Sequence, residues 1–290
     1  MMNHRIIARL DIKGPNLVKG IHFEGLRVLG KPEFFARHYY DAGADELVYM
    51  DTVASLYGRN SLLQIVERTS REIFIPLTVG GGLRTLEDIQ AVLRAGADKV
   101  SLNTAAIANP ELVREASRRF GSSTILVSIE AIRRPDGTYE AYVNYGRDKT
   151  GVDAFDWARK AVDLGAGELM VTAIQREGTR KGFNLELTRA IAESVPVPVI
   201  ASGGAGTVEH IREALCDGKA DAVSLASILH YNLIHESLFH GDYSDEGNIE
   251  FLSDKASASK ITGASISEIK AHLEKSGIPC RPAAKAVVHG

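Results

Sequence analysis

The sequence predicts an α/β fold, a (β/α)8 TIM barrel built from two half-barrel repeats, and two observations support this prediction. Short apolar, β-branched segments alternate with amphipathic helical segments along most of the chain. That alternation is typical of a parallel sheet covered by helices. Several segments also recur after 122 or 123 residues, which is about half of such a barrel.

Eight short apolar segments are predicted as the strands. They are residues 5–12, 46–50, 75–79, 99–102, 124–129, 168–172, 199–201 and 222–225. Helices are predicted at residues 86–95, 110–120, 155–164, 185–194 and 208–216, with a last one at 265–276. Eight strand–helix units in roughly 230 residues fit a closed barrel better than an open sheet.

The repeat is visible in three pairs of segments. The aligned pairs are Gly81-Gly82-Leu83-Arg84-Thr85-Leu86-Glu87 with Gly203-Gly204-Ala205-Gly206-Thr207-Val208-Glu209, Ala97-Asp98-Lys99-Val100-Ser101 with Ala220-Asp221-Ala222-Val223-Ser224, and Ala42-Gly43-Ala44-Asp45-Glu46-Leu47 with Leu164-Gly165-Ala166-Gly167-Glu168-Leu169. The chain therefore has the pattern of two half-barrels of common design.

The composition excludes several classes of protein. Hydrophobic residues make up 44% of the chain and charged residues 24%, as in ordinary globular proteins. The formal net charge of −3 argues against nucleic-acid binding, and two cysteines, Cys216 and Cys280, are too few for a disulfide framework. No apolar run has the length of a membrane span or the character of a signal peptide. These features predict a cytoplasmic protein without membrane contact.

The predicted domain organisation is a single barrel over residues 1–281, with an insertion at about 230–263 and a disordered tail at 282–290. The insertion carries His230, His235 and His240, with Asp242 beyond them. A spacing of five does not place ligands on one helix face, so we predict no metal site. We also predict no cofactor. We interpret this segment as a surface excursion over the active-site mouth, or as a contact to a partner or a second copy.

Glycine pairs follow the third and seventh predicted strands, at Gly81-Gly82 and Gly203-Gly204. Glycine lets backbone N–H groups approach an anion at a helix N-terminus. The neighbouring strand ends supply Asn103-Thr104 and Ala226-Ser227, which suit phosphate oxygens. One glycine pair alone would favour a tight turn, but two symmetry-related sets favour two phosphate sites. We therefore expect a small-molecule substrate with a phosphate at each end.

Two carboxylates, Asp11 and Glu130, end opposite strands of the predicted barrel. Facing each other across a substrate, they could divide the roles of acid and base if their environments separate their pKa values. Either residue alone could instead cap a helix or loop. Lys19, on the long first loop, is interpreted as an anion contact or a solvated loop charge.

Four charged residues, Arg5, Glu46, Lys99 and Glu168, begin strands at the opposite end of the barrel. They could form a ring of two acids and two bases around the barrel axis. In an arbitrary barrel such a ring would simply stabilise the closed end.

These segments together resemble the HisF family, the cyclase subunit of imidazole glycerol phosphate synthase in histidine biosynthesis. The resemblance covers residues 5–281 apart from the insertion. It is carried by Arg9-Leu10-Asp11-Ile12-Lys13, Leu77-Thr78-Val79-Gly80-Gly81-Gly82, Asn103-Thr104-Ala105-Ala106, Arg176-Glu177-Gly178-Thr179 and Ile200-Ala201-Ser202-Gly203-Gly204-Ala205-Gly206.

The resemblance implies an ammonia-dependent cyclase and lyase. A phosphoribulosyl-formimino aminoimidazole carboxamide ribonucleotide would lie between the phosphate sites, with Asp11 and Glu130 as the catalytic pair. Thr172, Glu177 and Gly178 would join the substrate site. The products would be imidazole glycerol phosphate and an aminoimidazole carboxamide ribotide.

The resemblance also implies a partner, a separate HisH-like glutaminase subunit bound as a heterodimer. Ammonia from this subunit would enter at the barrel bottom and travel along the axis. The ring of Arg5, Glu46, Lys99 and Glu168 matches the family's ammonia gate, and Asp98 matches a docking acid at the glutaminase interface.

The departures from the family pattern cluster at the catalytic face. Glu130 stands in place of an aspartate and Arg9 in place of a common cysteine, while Gln175-Arg176-Glu177-Gly178 replaces Asp-Arg-Asp-Gly. Val53 and Ile132 replace a threonine and a lysine. These changes keep open a HisF-like paralogue that delivers ammonia to another acceptor, such as a surface sugar. A non-catalytic barrel that activates a glutaminase is a third hypothesis.

Overall fold

A computed structural model describes residues 3–54, 62–236 and 263–283, and within them twelve strands form one sheet. Numbered in chain order, the eight parallel strands are β1 (Arg5–Lys13), β4 (Glu46–Asp51), β5 (Leu77–Gly80), β6 (Lys99–Leu102), β7 (Ile125–Arg133), β10 (Glu168–Ala173), β11 (Val199–Ser202) and β12 (Ala222–Leu225). Strand β10 pairs with both β11 and β7, and this second pairing closes the sheet. The predicted (β/α)8 barrel is therefore confirmed.

Two antiparallel hairpins, which the sequence pattern did not predict, extend the first strand of each half. β2 (Asn16–Ile21) and β3 (Glu24–Gly30) follow β1, and β8 (Tyr139–Val143) and β9 (Asp148–Asp153) follow β7. Corresponding residues turn the chain with positive φ in both hairpins: 52° and 66° at His22 and Phe23, and 53° and 60° at Asn144 and Tyr145. The duplication therefore extends beyond the segments in which the residue types themselves recur.

Helices cover the outer face of the barrel. They are α1 (Pro32–Asp41), α2 (Leu63–Ser70), α3 (Leu86–Arg94), α4 (Thr104–Ala108), α5 (Glu111–Phe120), α6 (Ala154–Asp163), α7 (Leu185–Ala192), α8 (Val208–Cys216), α9 (Ser227–Glu236) and α10 (Ile266–Lys275). Thr85 and Thr207 begin α3 and α8 at corresponding points, since each side chain accepts a hydrogen bond from a first-turn backbone N–H. No described helix is long and apolar enough to span a membrane.

Helix α9 contains the start of the predicted insertion. His230 is fully buried in it, and its Nδ1 lies 2.7 Å from the hydroxyl of Tyr39. His235 is exposed near the end of the same helix, and residues 237–262, with His240 and Asp242, lie outside the described residues. His230 is therefore a core residue that joins α9 to α1.

Strand alternation separates two cores. Outward-facing side chains pack against the helices, whereas Ile7, Val48, Met50, Leu126, Met170, Ile200 and Ala222 form a separate cluster inside the barrel. On β1 the inward series is Arg5, Ile7, Arg9 and Asp11. This strand therefore carries one charged group at the bottom of the barrel, an apolar side chain above it, and two charged groups at the top.

Candidate active site

Five charged side chains meet inside the carboxyl-terminal mouth of the barrel. Asp11 and Arg9 come from β1, Lys19 from β2, Glu130 from β7 and Glu177 from the turn after β10, and each is at most 4% exposed. Arg9 Nε donates to Asp11 Oδ1 at 2.9 Å, and Lys19 Nζ lies 3.5 Å from Asp11 Oδ2. Lys19 also contacts the carboxylate of Glu177. Lys19 is thus a buried member of this cluster and not a solvated loop charge.

The two cations keep Asp11 ionised. Burial alone would raise the pKa of Asp11, but the charges of Arg9 and Lys19 outweigh burial and hold this pKa below its ordinary value. Burial would likewise lower the pKa of Lys19, whereas Glu177 and Asp11 raise it. Asp11 is therefore an anion and Lys19 a cation at neutral pH.

Glu130 has the opposite environment. Burial raises its pKa to about 7, against the opposing charge of Arg9 and a hydrogen bond with the backbone of Gly146. Its Oε2 has no hydrogen-bond partner among the described residues. The pKa values of the two carboxylates are therefore shifted in opposite directions, so that near neutral pH Asp11 is ionised while Glu130 is still partly protonated, and a division between acid and base requires such a separation.

The first predicted phosphate site, which we call the β5–β6 cradle, is formed by Gly81, Gly82, Asn103 and Thr104. These residues line a cavity of about 290 Å³ that also reaches Glu130. A Cβ on Gly81 would lie 2.4 Å from the carbonyl oxygen of Asp51, so only glycine fits there. Asn103 Oδ1 has no partner among the described residues.

The second predicted site, the β11–β12 cradle, is formed by Gly203, Gly204, Ala226 and Ser227. It is narrower, and Gly178, Glu177 and Arg9 also line it. A Cβ on Gly204 would lie 2.2 Å from the carbonyl oxygen of Gly182. Thr172 is buried beside Gly203, and its Oγ1 has no described partner. The structure thus brings the predicted residues of each cradle together.

The tips of the two hairpins cover this mouth, a feature that the sequence analysis missed. The ring centroids of Phe23 and Tyr145 lie 4.2 Å apart, and both residues are at most 7% exposed. Arg9 Cζ lies 5.5 Å from the centroid of the Phe23 ring. Burial, and the charge of Asp11, raise the pKa of Tyr145. Its phenol therefore stays neutral among the charged groups.

The four predicted gate residues form a ring at the amino-terminal end of the barrel. Arg5 Nη1 lies 2.6 Å from Glu46, and Arg5 also contacts Glu168. Lys99 Nζ closes the ring at 3.1 Å from Glu46 and 3.0 Å from Glu168. A cavity of about 280 Å³ lies beside Arg5, Lys99 and Glu168.

Hydroxyl groups are also buried on the barrel strands. The side-chain oxygens of Ser101, Ser128, Thr172 and Ser224 have no hydrogen-bond partner among the described residues, and Ser101 and Ser224 also line the cavities of the two cradles. Unsatisfied buried hydroxyls are costly, and they suit a small polar molecule that can bond to them in turn. We call these four residues the hydroxyl layer.

Asp98 lies at the same end of the barrel as the ring. Its Oδ2 accepts a hydrogen bond from the backbone N–H of Leu77 at 2.8 Å. Asp45 and Asp221 accept bonds of the same length from Ile6 and Val199. Asp98 thus makes a hydrogen bond to the neighbouring strand that Asp45 and Asp221 make at equivalent positions. Its predicted role in docking a partner stays a prediction.

Comparison with known proteins gives a consistent result. The chain matches the family model described as "Histidine biosynthesis protein" over residues 5–235. It is 57% identical over 209 residues to the imidazole glycerol phosphate synthase subunit HisF of Legionella pneumophila, which covers 72% of this chain and 99% of that protein. Subunits of the same name from Trichormus variabilis and Alkaliphilus metalliredigens are 53% and 48% identical over 234 and 232 residues. Those two alignments each cover 80% of this chain, and 91% and 92% of the relatives.

Proposed function

This chain belongs to the histidine biosynthesis protein family, as a HisF-type barrel, and from that membership we propose that it is the cyclase subunit of imidazole glycerol phosphate synthase. It adds ammonia to the phosphoribulosyl-formimino aminoimidazole carboxamide ribonucleotide. The products are imidazole glycerol phosphate, an aminoimidazole carboxamide ribotide and the water released when the imidazole ring closes. The observation that carries this proposal is a pair of buried carboxylates, between two glycine cradles, whose pKa values are shifted in opposite directions.

Asp11 acts as the base and Glu130 as the acid in this proposal. Ring closure requires that protons leave the attacking nitrogen and reach the departing groups. Asp11 is held as an anion by Arg9 and Lys19, so it can accept a proton. Glu130 keeps its proton up to about pH 7, so it can donate one. The phosphates of the substrate bind in the β5–β6 and β11–β12 cradles, which hold the reacting atoms between the two carboxyl groups.

Ammonia reaches the mouth along the barrel axis. It passes the ring of Arg5, Glu46, Lys99 and Glu168 and then moves among the side chains of the inner apolar cluster and the hydroxyl layer. The unpartnered oxygens of the hydroxyl layer support this route, since they can accept the N–H groups of ammonia.

The ammonia comes from a partner subunit. The word "subunit" in the names of the relatives implies a complex, and a HisH-like glutaminase is the partner that the ring at the barrel bottom suits. It would dock at this end, with Asp98 at the interface.

A second candidate function is ammonia transfer to another phosphorylated acceptor. The observation in its favour is the changed centre of the site, where Arg9 and Glu130 replace the smaller cysteine and aspartate of the family pattern. Both cradles and the ring are compatible with this alternative.

Turnover by the purified chain distinguishes the two candidates. The chain is incubated with the phosphoribulosyl-formimino substrate and ammonium, and loss of substrate absorbance is followed. We expect turnover, and a loss of about 10²–10⁴-fold in Asp11→Asn and Glu130→Gln. Glu111→Gln, an exposed change on α5, serves as the control. Binding of the substrate without turnover in the unmodified chain would favour the other acceptor.

The pH dependence tests the assignment of the roles. At a fixed concentration of free ammonia, kcat should fall as the pH rises through about 7, because Glu130 then loses its proton. Glu130→Asp should retain activity with this limb displaced. A kcat that rises through pH 7 would instead make Glu130 the base.

A further inference from the structure

The two cradles obtain their positive charge from different places. Arg84 lines the β5–β6 cavity and belongs to the loop after β5, whereas Gly206 takes its place in the repeat. Arg9 lines the β11–β12 cavity and belongs to β1. Two residues before the other catalytic carboxylate, Ser128 takes the place of Arg9. Each cradle thus has an arginine that its counterpart lacks.

Arg9 has one donor group left over. Its Nε donates to Asp11 at 2.9 Å, and its Nη1 lies 3.4 Å from Ser202 Oγ. Its Nη2 is buried and has no hydrogen-bond partner among the described residues, although the side chain is only 2% exposed. A buried guanidinium N–H without an acceptor is costly. The guanidinium of Arg9 therefore has one nitrogen, Nη2, without an acceptor, and this residue lines the β11–β12 cradle.

Among the described residues, one cationic and one anionic side chain line the β11–β12 cavity, those of Arg9 and Glu177. Glu177 also lines the cavity, and its carboxylate would repel a phosphate group. Lys19 pairs with Glu177, so its charge is already engaged. Of the described residues that line the cavity, Arg9 is the one with a cationic side chain. Arg9 is therefore the described cation placed to meet a phosphate in this cavity.

We propose that Arg9 is a further substrate-binding residue, which donates through Nη2 to a phosphate group held in the β11–β12 cradle while its Nε holds Asp11. The proposal rests on the proposed function in one respect, that a phosphorylated ligand enters this cradle. Because one guanidinium contacts both groups, occupancy of the cradle and the protonation of Asp11 are linked.

Inorganic phosphate is the probe for binding, titrated calorimetrically into the full chain. We expect two phosphate sites in the unmodified chain. Arg9→Cys should weaken one of them by about 10- to 100-fold, because a charge-assisted hydrogen bond is lost. Arg9→Lys should restore part of the affinity, since it keeps the charge but not the fork. Arg84→Gln should weaken the other site, and Arg114→Gln, a change on α5 at a side chain that is 41% exposed, should weaken neither.

Two further measurements separate binding from a purely structural role. In the unmodified chain with ¹⁵N-labelled arginine, the Nε–H signal of Arg9 should shift on addition of phosphate, and this needs no variant to fold. In Arg9→Cys, the acidic limb of the pH profile of kcat should move to higher pH, because Asp11 loses a cation that lowers its pKa.

Unchanged phosphate affinity in a folded Arg9→Cys chain, together with an unmoved Arg9 signal, would overturn the proposal. Its failure is distinct from failure of the proposed function. If Arg9 binds phosphate but the histidine-pathway substrate is not turned over, the inference stands and the assigned reaction is wrong. If that substrate is turned over and Arg9→Cys leaves both phosphate sites intact, the reverse holds.

Discussion

Single residues acquire their chemistry here from their neighbours. Asp11 and Glu130 are both buried carboxyl groups at strand ends, yet Asp11 lies beside Arg9 and Lys19, while Glu130 Oε2 has no described partner. The pKa of one is therefore lowered, and that of the other is raised to about 7. Burial and the charge of Arg9 thus shift the pKa of Glu130 in opposite directions, and burial has the larger effect. The pH dependence of the free energy of unfolding should reveal this raised pKa.

The stability of the chain should decrease between pH 5 and pH 8 because of Glu130. Folding raises its pKa from 4.5 to about 7, so the folded chain holds this proton more tightly than the unfolded chain. The resulting stabilisation is present below the unfolded value and is lost as the pH rises through 7, on the order of 3 kcal/mol in all. Urea unfolding of the wild type and Glu130→Gln at several pH values measures it. Equal pH slopes in the two proteins would contradict this expectation.

At this scale the sequence indicates the site but not its charge states. Asp11, Glu130 and the cradle residues could be placed from strand ends, because parallel strands of a barrel bring their carboxyl ends to one face. Lys19 could not be decided, because its burial depends on a hairpin that folds back over the mouth. The partners of Arg9 depend on side-chain directions that no spacing reveals.

Among the elements, the hairpins contribute most to the site beyond the barrel itself. They bring Phe23 and Tyr145 into contact above the charged cluster, and β2 carries Lys19 into it. The sequence pattern did not indicate them, since β9 and β3 are mixed in polarity and mostly exposed or half-buried. Their turns also use positive φ at residues other than glycine, which no turn signature announces.

Removing the Phe23 ring should open the mouth. In Phe23→Ala, water gains access to Arg9 and Asp11, and the interactions between charged groups weaken. We expect kcat to fall about tenfold and the amides of β2 and β3 to exchange hydrogen faster. Phe34→Ala is the control, because Phe34 is 50% exposed on α1. A kcat equal to that of the wild type would show that the aromatic contact has no catalytic importance.

The whole molecule is a closed cylinder with distinct chemistry at its two ends. The closed ring of strands fixes the ion-pair ring at the bottom and the carboxylates at the top on one axis. This arrangement was the easiest part to predict, because strand rhythm and the repeat are properties of the entire chain. The location of the hydroxyl layer needed the actual register of the strands.

Breaking the ion-pair ring at the bottom of the barrel should affect kcat differently for the two sources of ammonia. Arg5→Ala leaves Glu46 and Glu168 without one of their two cations. With ammonium supplied in solution, kcat should stay within about threefold, since the mouth is unaltered. With glutamine and the glutaminase subunit, we expect kcat to fall about tenfold or more. Arg37→Ala, an exposed change on α1, should alter neither rate. Equal losses with both sources would indicate general destabilisation.

If phosphates bind in both cradles as proposed, the asymmetry between the half-barrels would determine which way round a ligand lies. Two identical halves would make a symmetric site, in which a molecule phosphorylated at both ends could bind in either orientation. Only one of these orientations would present its reactive centre to the correct carboxyl group. Arg9 opposite Ser128, and Arg84 opposite Gly206, remove that equivalence. Divergence after duplication thus made the two sides of the mouth different from each other, just as the two ends of the barrel differ along its axis.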